Sequence, residues 1–135
     1  MNPPEWILRE TVIALQEQLL AEFGGATGIR DNDLLDSALH RPQNLHAYEE
    51  ASLPELAAAY AYGLVKNHPF VDGNKRIAFS VAALFLQCNG RMLTAGEADA
   101  VIQMLALAAG EIGEREYARW LEAHSVGLER EHPPL

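Results

Sequence analysis

His68-Pro69-Phe70-Val71-Asp72-Gly73-Asn74-Lys75-Arg76 separates two apolar segments, one carrying Leu53, Leu56, Tyr60 and Leu64, the other running from Ile77 to Cys88. Pro69 disfavours helix at the residue before it, and Gly73 allows backbone conformations closed to other residues. The first segment therefore predicts a helix to about Asn67, a tight loop, and a new helix from Asn74 or Lys75. Ile77 to Cys88 is apolar almost all round, interrupted by Ser80 and Gln87, which is the pattern of a central helix in a small bundle. Phe70 reads as the core anchor of the loop.

The remaining chain extends the helical pattern. Asn2 can cap a first helix, with Pro3 and Pro4 in its opening turn and Ile7, Leu8, Val12, Leu15, Leu19 and Phe23 at helical spacing. Gly24-Gly25 ends it. Asp31 can cap a short second helix that Pro42 limits, with Leu34, Leu35, Ala38 and Leu39 inward. The polar residues 41–50 are too irregular to assign. Ser52 and Glu55 form a capping box for the helix ahead of the loop. Thr94 to Glu97 suggests a second box, opening a helix that ends at Gly110. A last helix covers about Glu114 to His124, and residues 125–135 read as a frayed tail. Trp6, Tyr60, Tyr117 and Trp120 fall among apolar residues and read as packing. The expectation is one all-α domain over residues 1–135, with no repeat or linker.

Bulk properties narrow the class. The chain has 135 residues, 49% of them hydrophobic, and a formal net charge of -9. That balance argues against a protein whose main task is gripping nucleic acid, which needs concentrated Lys and Arg. The one cysteine, Cys88, has no internal disulfide partner; its apolar surroundings suggest buried packing, and a reducing cytoplasm suits it. The N-terminus lacks signal-peptide features, and the apolar run Ile77 to Leu86 falls well short of the roughly 20 residues needed to span a bilayer. A cytoplasmic protein is expected, with no membrane partner.

The loop concentrates chemistry. A helix N-terminus after a Gly-containing turn offers unpaired N–H groups and a favourable dipole to an anion. Lys75 and Arg76 add cations at the end where they oppose helix stability, which is where a phosphate site wants them. Asp72 is the hard carboxylate that Mg²⁺ prefers beside nucleotide oxygens. Asn74 can donate to a phosphate oxygen or to the loop backbone. His68 can accept a proton from an attacking hydroxyl. Base, metal carboxylate and phosphate cradle together describe a phosphoryl-transfer site. His68 and Asp72 also stand four apart, the spacing of a helical metal pair, but Pro69 and Gly73 break the helix that such a pair needs. His40, His46, His124 and His132 show no ligand spacing. Lys66 either reaches toward the phosphates or ends a helix in solvent.

The nine residues resemble the signature of the Fic/Doc superfamily, His-Pro-Phe-x-x-Gly-Asn, then Gly or Lys, then Arg, with a match at every fixed position. Phe23 to Asp31, Leu35 to Gln43 and Leu84 to Gly90 also look like Doc-like (death-on-curing) proteins, so the resemblance covers about Gly24 to His124. It implies a Fic-fold helical bundle with the active-site loop between two central helices. His68 would be the catalytic base acting on a Ser or Thr hydroxyl of a target protein. Asp72 would hold Mg²⁺, and Gly73, Asn74, Lys75 and Arg76 would bind the phosphates of ATP. Residues 41–50 would lie where the family places its target-docking flap.

Lys75 and Phe79 stand where the AMP-transferring members of the family usually have Gly and a second Arg. Both departures match the Doc-like branch, which resembles a protein kinase acting on translation elongation factor Tu. The resemblance thus implies a toxin that transfers the gamma-phosphate, inhibits translation and is held by a cognate antitoxin. The alternatives are AMP transfer to a protein hydroxyl and, in another class, a non-catalytic module that binds nucleotide or a partner. Ser125 to Arg130 nearly fits the family's inhibitory pattern of Ser or Thr, three residues, then Glu, but has Arg130 where Gly or Asn is usual; chance resemblance is the favoured reading.

Overall fold

A computed structural model describes residues 3–128. Among them six helices occur: α1 (Arg9–Phe23), α2 (Asn32–Tyr48), α3 (Leu53–Asn67), α4 (Asn74–Cys88), α5 (Glu97–Ala109) and α6 (Glu114–Ala123). Two short strands, β1 (Arg91–Leu93) and β2 (Ser125–Gly127), pair antiparallel, Met92 opposite Val126. The architecture is the all-α bundle that the sequence predicts, with a minimal sheet added.

The most enclosed helix is α3, which packs against α2, α4, α5 and α6. Small residues allow this: Ala57, Ala58, Ala59 and Ala61 are buried, and Gly63 lets α2 approach so closely that a Cβ there would lie 3.1 Å from the Cα and carbonyl oxygen of Ala38. The apolar helix α4, expected at the centre, shares that role but leaves Gln87 and Cys88 exposed at its end. Cys88 is thus not buried, a correction to the sequence reading. Fully buried Phe85 stacks on Trp6 and lies tilted against Tyr60.

The first helix begins at Arg9, not at the prolines; Asn2 lies outside the described residues. Tertiary bonds hold the lead-in segment extended. Glu5 exchanges backbone hydrogen bonds with the Asn89 carboxamide, and the Ile7 N–H donates to the Tyr60 hydroxyl at 3.0 Å. Asp31 caps α2 as expected, its side chain accepting from the Leu34 N–H. Pro42 does not end that helix, which continues to Tyr48 through most of the expected flap, residues 41–50. A proline inside a helix costs about 3 kcal/mol or more. Here Pro42 is itself buried, Leu45 packs on the core, and Arg41 pairs with Glu114 while lying over the Tyr62 ring, so tertiary contacts on both sides of the proline offset that cost.

The Ser52–Glu55 capping box is present, whereas the Thr94 box is not: α5 starts after Gly96 with no side-chain cap. Thr94 instead donates from its N–H and its hydroxyl to the His124 carbonyl, joining β1 to the end of α6. The tail is therefore not frayed from residue 125. Ser125 is buried in β2 and its hydroxyl accepts from Arg91. Glu129 and Arg130, which complete the near-match to the inhibitory pattern, lie outside the described residues.

Because the atoms facing Gly63 belong to the backbone of α2, Gly63→Ala must push α2 and α3 apart. The expected loss is about 1–3 kcal/mol, as for other overpacked cores, measured by urea denaturation; an unchanged midpoint would show that the interface yields freely.

Candidate active site

Helix α3 ends on His68, whose φ of 50° and ψ of 54° are left-handed. Among the described residues it alone has a positive φ without being glycine. That conformation costs roughly 1–2 kcal/mol for a residue with a Cβ, so it persists only where neighbours over-determine it. They do so here. The Arg30 guanidinium donates to the carbonyls of His68 (2.7 Å) and Asn67 (2.9 Å). The next carbonyl, that of Pro69, accepts from the N–H groups of Arg30 and Asp31, and the Val71 N–H donates to the Gly28 carbonyl. Ile29 and Phe70 form an isolated bridge between the same two segments.

The loop is also closed on itself. The Phe70 ring is 2% exposed, and the Asn74 carboxamide accepts from the Phe70 N–H (3.0 Å) while donating to the Phe70 carbonyl (2.9 Å). Of the two partners the sequence allowed for Asn74, the side chain has taken the loop backbone; both its polar ends are engaged there.

Asp72 lies at the surface with its carboxylate held from two directions. Oδ1 accepts from the Gly73 N–H (2.8 Å) and Oδ2 from the Ala26 N–H (3.2 Å). These two donors, the Gly73 amide first, hold the carboxyl below its ordinary value, with smaller help from the charges of Arg76 and His68. The Asp72 carbonyl accepts from Gln16 Nε2 at 2.7 Å. Gly25, with φ of +126°, is required beside it: a Cβ there would lie 2.8 Å from Oδ2 and 2.9 Å from Leu20.

Gly73 is the N-cap of α4, left-handed at φ 75°, and no side chain caps the helix. Its first-turn N–H groups and the positive end of its dipole thus accompany Lys75 and Arg76, both exposed. Arg76 lies over the Phe23 ring at 4.7 Å, which fixes its guanidinium above the end of α1. A cavity of about 640 Å³ opens beside the loop, with His68 and Lys75 on one wall and Ile102, Leu105 and Ala109 of α5 on another. The Lys66 ammonium donates to the carbonyl of Ala108, another residue of that cavity, at 3.4 Å.

His68, Asp72, Gly73, Lys75 and Arg76 are thus assembled around one turn and one helix start. Sequence reasoning missed Gln16, Gly25, Ala26 and Arg30, all from α1 and the loop after it. Gln16 left a signal, since it sits between Val12 and Leu20 on the buried face of its helix and is itself 3% exposed. The clustered glycines 24, 25 and 28 were a second signal, because a helix needs only one to stop. As to a metal, no cluster of His, Cys, Asp or Glu that could enclose an ion occurs among the described residues. Mg²⁺ does not need one, since it binds through one or two carboxylates plus phosphates and water. The exposed, anionic Asp72 fits that requirement.

The model of the Fic/DOC family matches residues 6–86, well over half of the sequence and including the whole loop. The chain belongs to the Fic/DOC family. It is 42% identical over 94 residues to "Toxin Doc" of Mycolicibacterium smegmatis, covering 67% of this chain and 69% of that protein. It is 38% identical over 82 residues to "Protein kinase doc" of Escherichia phage P1, covering 60% of this chain and 65% of that one. The chain thus aligns with about two thirds of the length of these curated relatives, and it is Doc-like within the family. No described helix is long and apolar enough to cross a membrane.

The Asp72 carboxyl should titrate below 3.8 in an NMR pH titration, and in Gly25→Ala, where the new methyl crowds Oδ2, its midpoint should rise toward that value. The sign for stability follows. A depressed folded-state value contributes stability that is present above 3.8 and lost as pH falls through the lower folded value. An Asp72 midpoint at or above 3.8 would mean that the two amides do not hold the carboxylate.

Proposed function

We propose that the protein is a Doc-like toxin that transfers the gamma-phosphate of ATP to a Ser or Thr hydroxyl of a target protein. The observation that carries this reading is the placing of a left-handed His68 and an anionic Asp72 at the mouth of an uncapped, cationic helix start. The first-turn N–H groups of α4, with Lys75 and Arg76, bind the phosphate oxygens and stabilise charge on them as transfer proceeds. Gly73 keeps the turn open to their approach. Asn74 acts by holding the loop rather than by touching the nucleotide through its side chain. The His68 imidazole takes the proton from the target hydroxyl as its oxygen bonds to the gamma-phosphorus. The bond from that phosphorus to the beta-phosphate bridging oxygen breaks, and ADP leaves. Mg²⁺ bound through Asp72 would neutralise phosphate charge.

Gamma-phosphate transfer is preferred to AMP transfer for two reasons. Phe79, where AMP-transferring members usually carry a second Arg, packs against the core and offers no cation. One relative is itself called a protein kinase. A toxin of this kind inhibits translation through its target, for which elongation factor Tu is the leading choice, and is held in check by a cognate antitoxin. The reading places it in the cytoplasm, with no direct binding of nucleic acid.

Incubation of purified protein with Mg²⁺, a bacterial lysate and either gamma- or alpha-labelled ATP tests the reaction. The expected result is gamma label on a lysate protein, with His68→Ala slower by about 10²–10⁴-fold and little changed in fold. Alpha label instead would identify an AMP transferase. Label from neither would favour a binding module. Asp72→Ala should lose activity at every Mg²⁺ concentration, and a variant still active in chelator would remove Asp72 from the metal site.

A further inference from the structure

We infer that Arg30, which lies outside the signature, is a positioning residue for His68: its guanidinium holds the end of α3 in the one backbone conformation that presents the imidazole to the site. The inference rests on the reading of His68 as the proton acceptor. A helix leaves its last carbonyls without partners, and a left-handed terminal residue turns them outward. In this chain three successive carbonyls, those of Asn67, His68 and Pro69, are all bonded to the Arg30–Asp31 segment. The guanidinium supplies two donors in a fixed plane, one to each of the first two carbonyls. An ammonium is a point charge on a flexible stem and cannot set both at once.

Arg30 is itself anchored. Asp31 beside it caps α2 at the Leu34 N–H, and Asn67 Nδ2 donates to the Leu34 carbonyl at 2.9 Å. The start of α2 therefore braces the end of α3, and the arginine completes that brace at the residue where the backbone is strained. Without it, the His68 and Asn67 carbonyls turn to water and His68 relaxes to negative φ, which swings its side chain off the site. Arg30 is exposed and its named partners are main-chain carbonyls, so its loss should act on geometry more than on global stability.

The test compares Arg30→Ala and Arg30→Lys with the full-length wild type. In the gamma-phosphate assay kcat should fall by about 10²-fold, the cost of a small misplacement of a reacting group, while KM for ATP stays unchanged. Arg30→Lys should fall almost as far, and added guanidinium ion should restore part of the rate of Arg30→Ala. Independently of turnover, the His68 Cα chemical shift should report a left-handed residue in wild type and leave that range in Arg30→Ala. A lysine variant as active as wild type, or a loss confined to KM, would overturn the inference. So would a His68 shift unmoved in Arg30→Ala. If wild type transfers no label at all, the reaction assigned above fails, and the His68 shift still decides the role of Arg30.

Discussion

Both polar ends of the Asn74 side chain are engaged by the backbone of Phe70, inside the protein and four residues away. That pair of bonds makes the site possible. It bends the chain back so that Phe70 can bury its ring while Val71 and Asp72, between the two residues, stay exposed. A buried carboxamide left without partners costs a few kcal/mol, so the loop has a strong reason to keep this shape and little freedom to adopt another. Asn74 is also the first residue of α4, so the same bonds determine where the uncapped N–H groups emerge. Removing them would loosen the acidic, the basic and the phosphate-facing parts of the site together.

The loop is held again from outside, by the segment between α1 and α2. Arg30, Ala26 and the carbonyl of Gly28 act on His68 and Asn67, on Asp72, and on Val71 respectively. Gln16 adds a bond from within α1 to the Asp72 carbonyl. The site is therefore built from two distant stretches of chain, of which one supplies the reactive groups and the other fixes their geometry. This division explains how a surface loop can keep a non-glycine residue left-handed: the strain is small beside the number of bonds that oppose its release.

The sequence made the first stretch legible and left the second obscure. Pro69 and Gly73 announce a loop, and the apolar residues on either side announce two helices, because those signals are local. Asp31, Ser52 and the glycines after Phe23 were readable for the same reason. The errors came where tertiary contacts override local preference. Pro42 reads as a stop, yet Arg41 and Leu45 are held on both sides of it. Pro3 and Pro4 read as a helix start, yet Asn89 and Tyr60 claim the backbone of Glu5 and Ile7. Strands of three residues show no alternation to read, so the pairing of β1 with β2 had no signature. Arg30 was visible only as part of a resemblance, since nothing nearby in sequence indicates that its partners lie 37 and 38 positions away.

An anion site in a protein of net charge -9 needs a physical account. At physiological ionic strength charges are screened beyond about 8 Å, so the acidic surface acts weakly on a phosphate already at the loop. There the near cations are Lys75, Arg76 and the helix start, opposed by Asp72 of the loop and by Glu111, which lines the cavity with His68 and Lys75. Long-range steering would work against a nucleotide, and recognition must come from contact. That favours a site whose donors are fixed before the ligand arrives, because donors that reorganise on binding would lose in ordering what they gain in contact. The doubled bracing of this loop is the structural counterpart of that requirement: without help from the overall field, the cradle must already have its final shape.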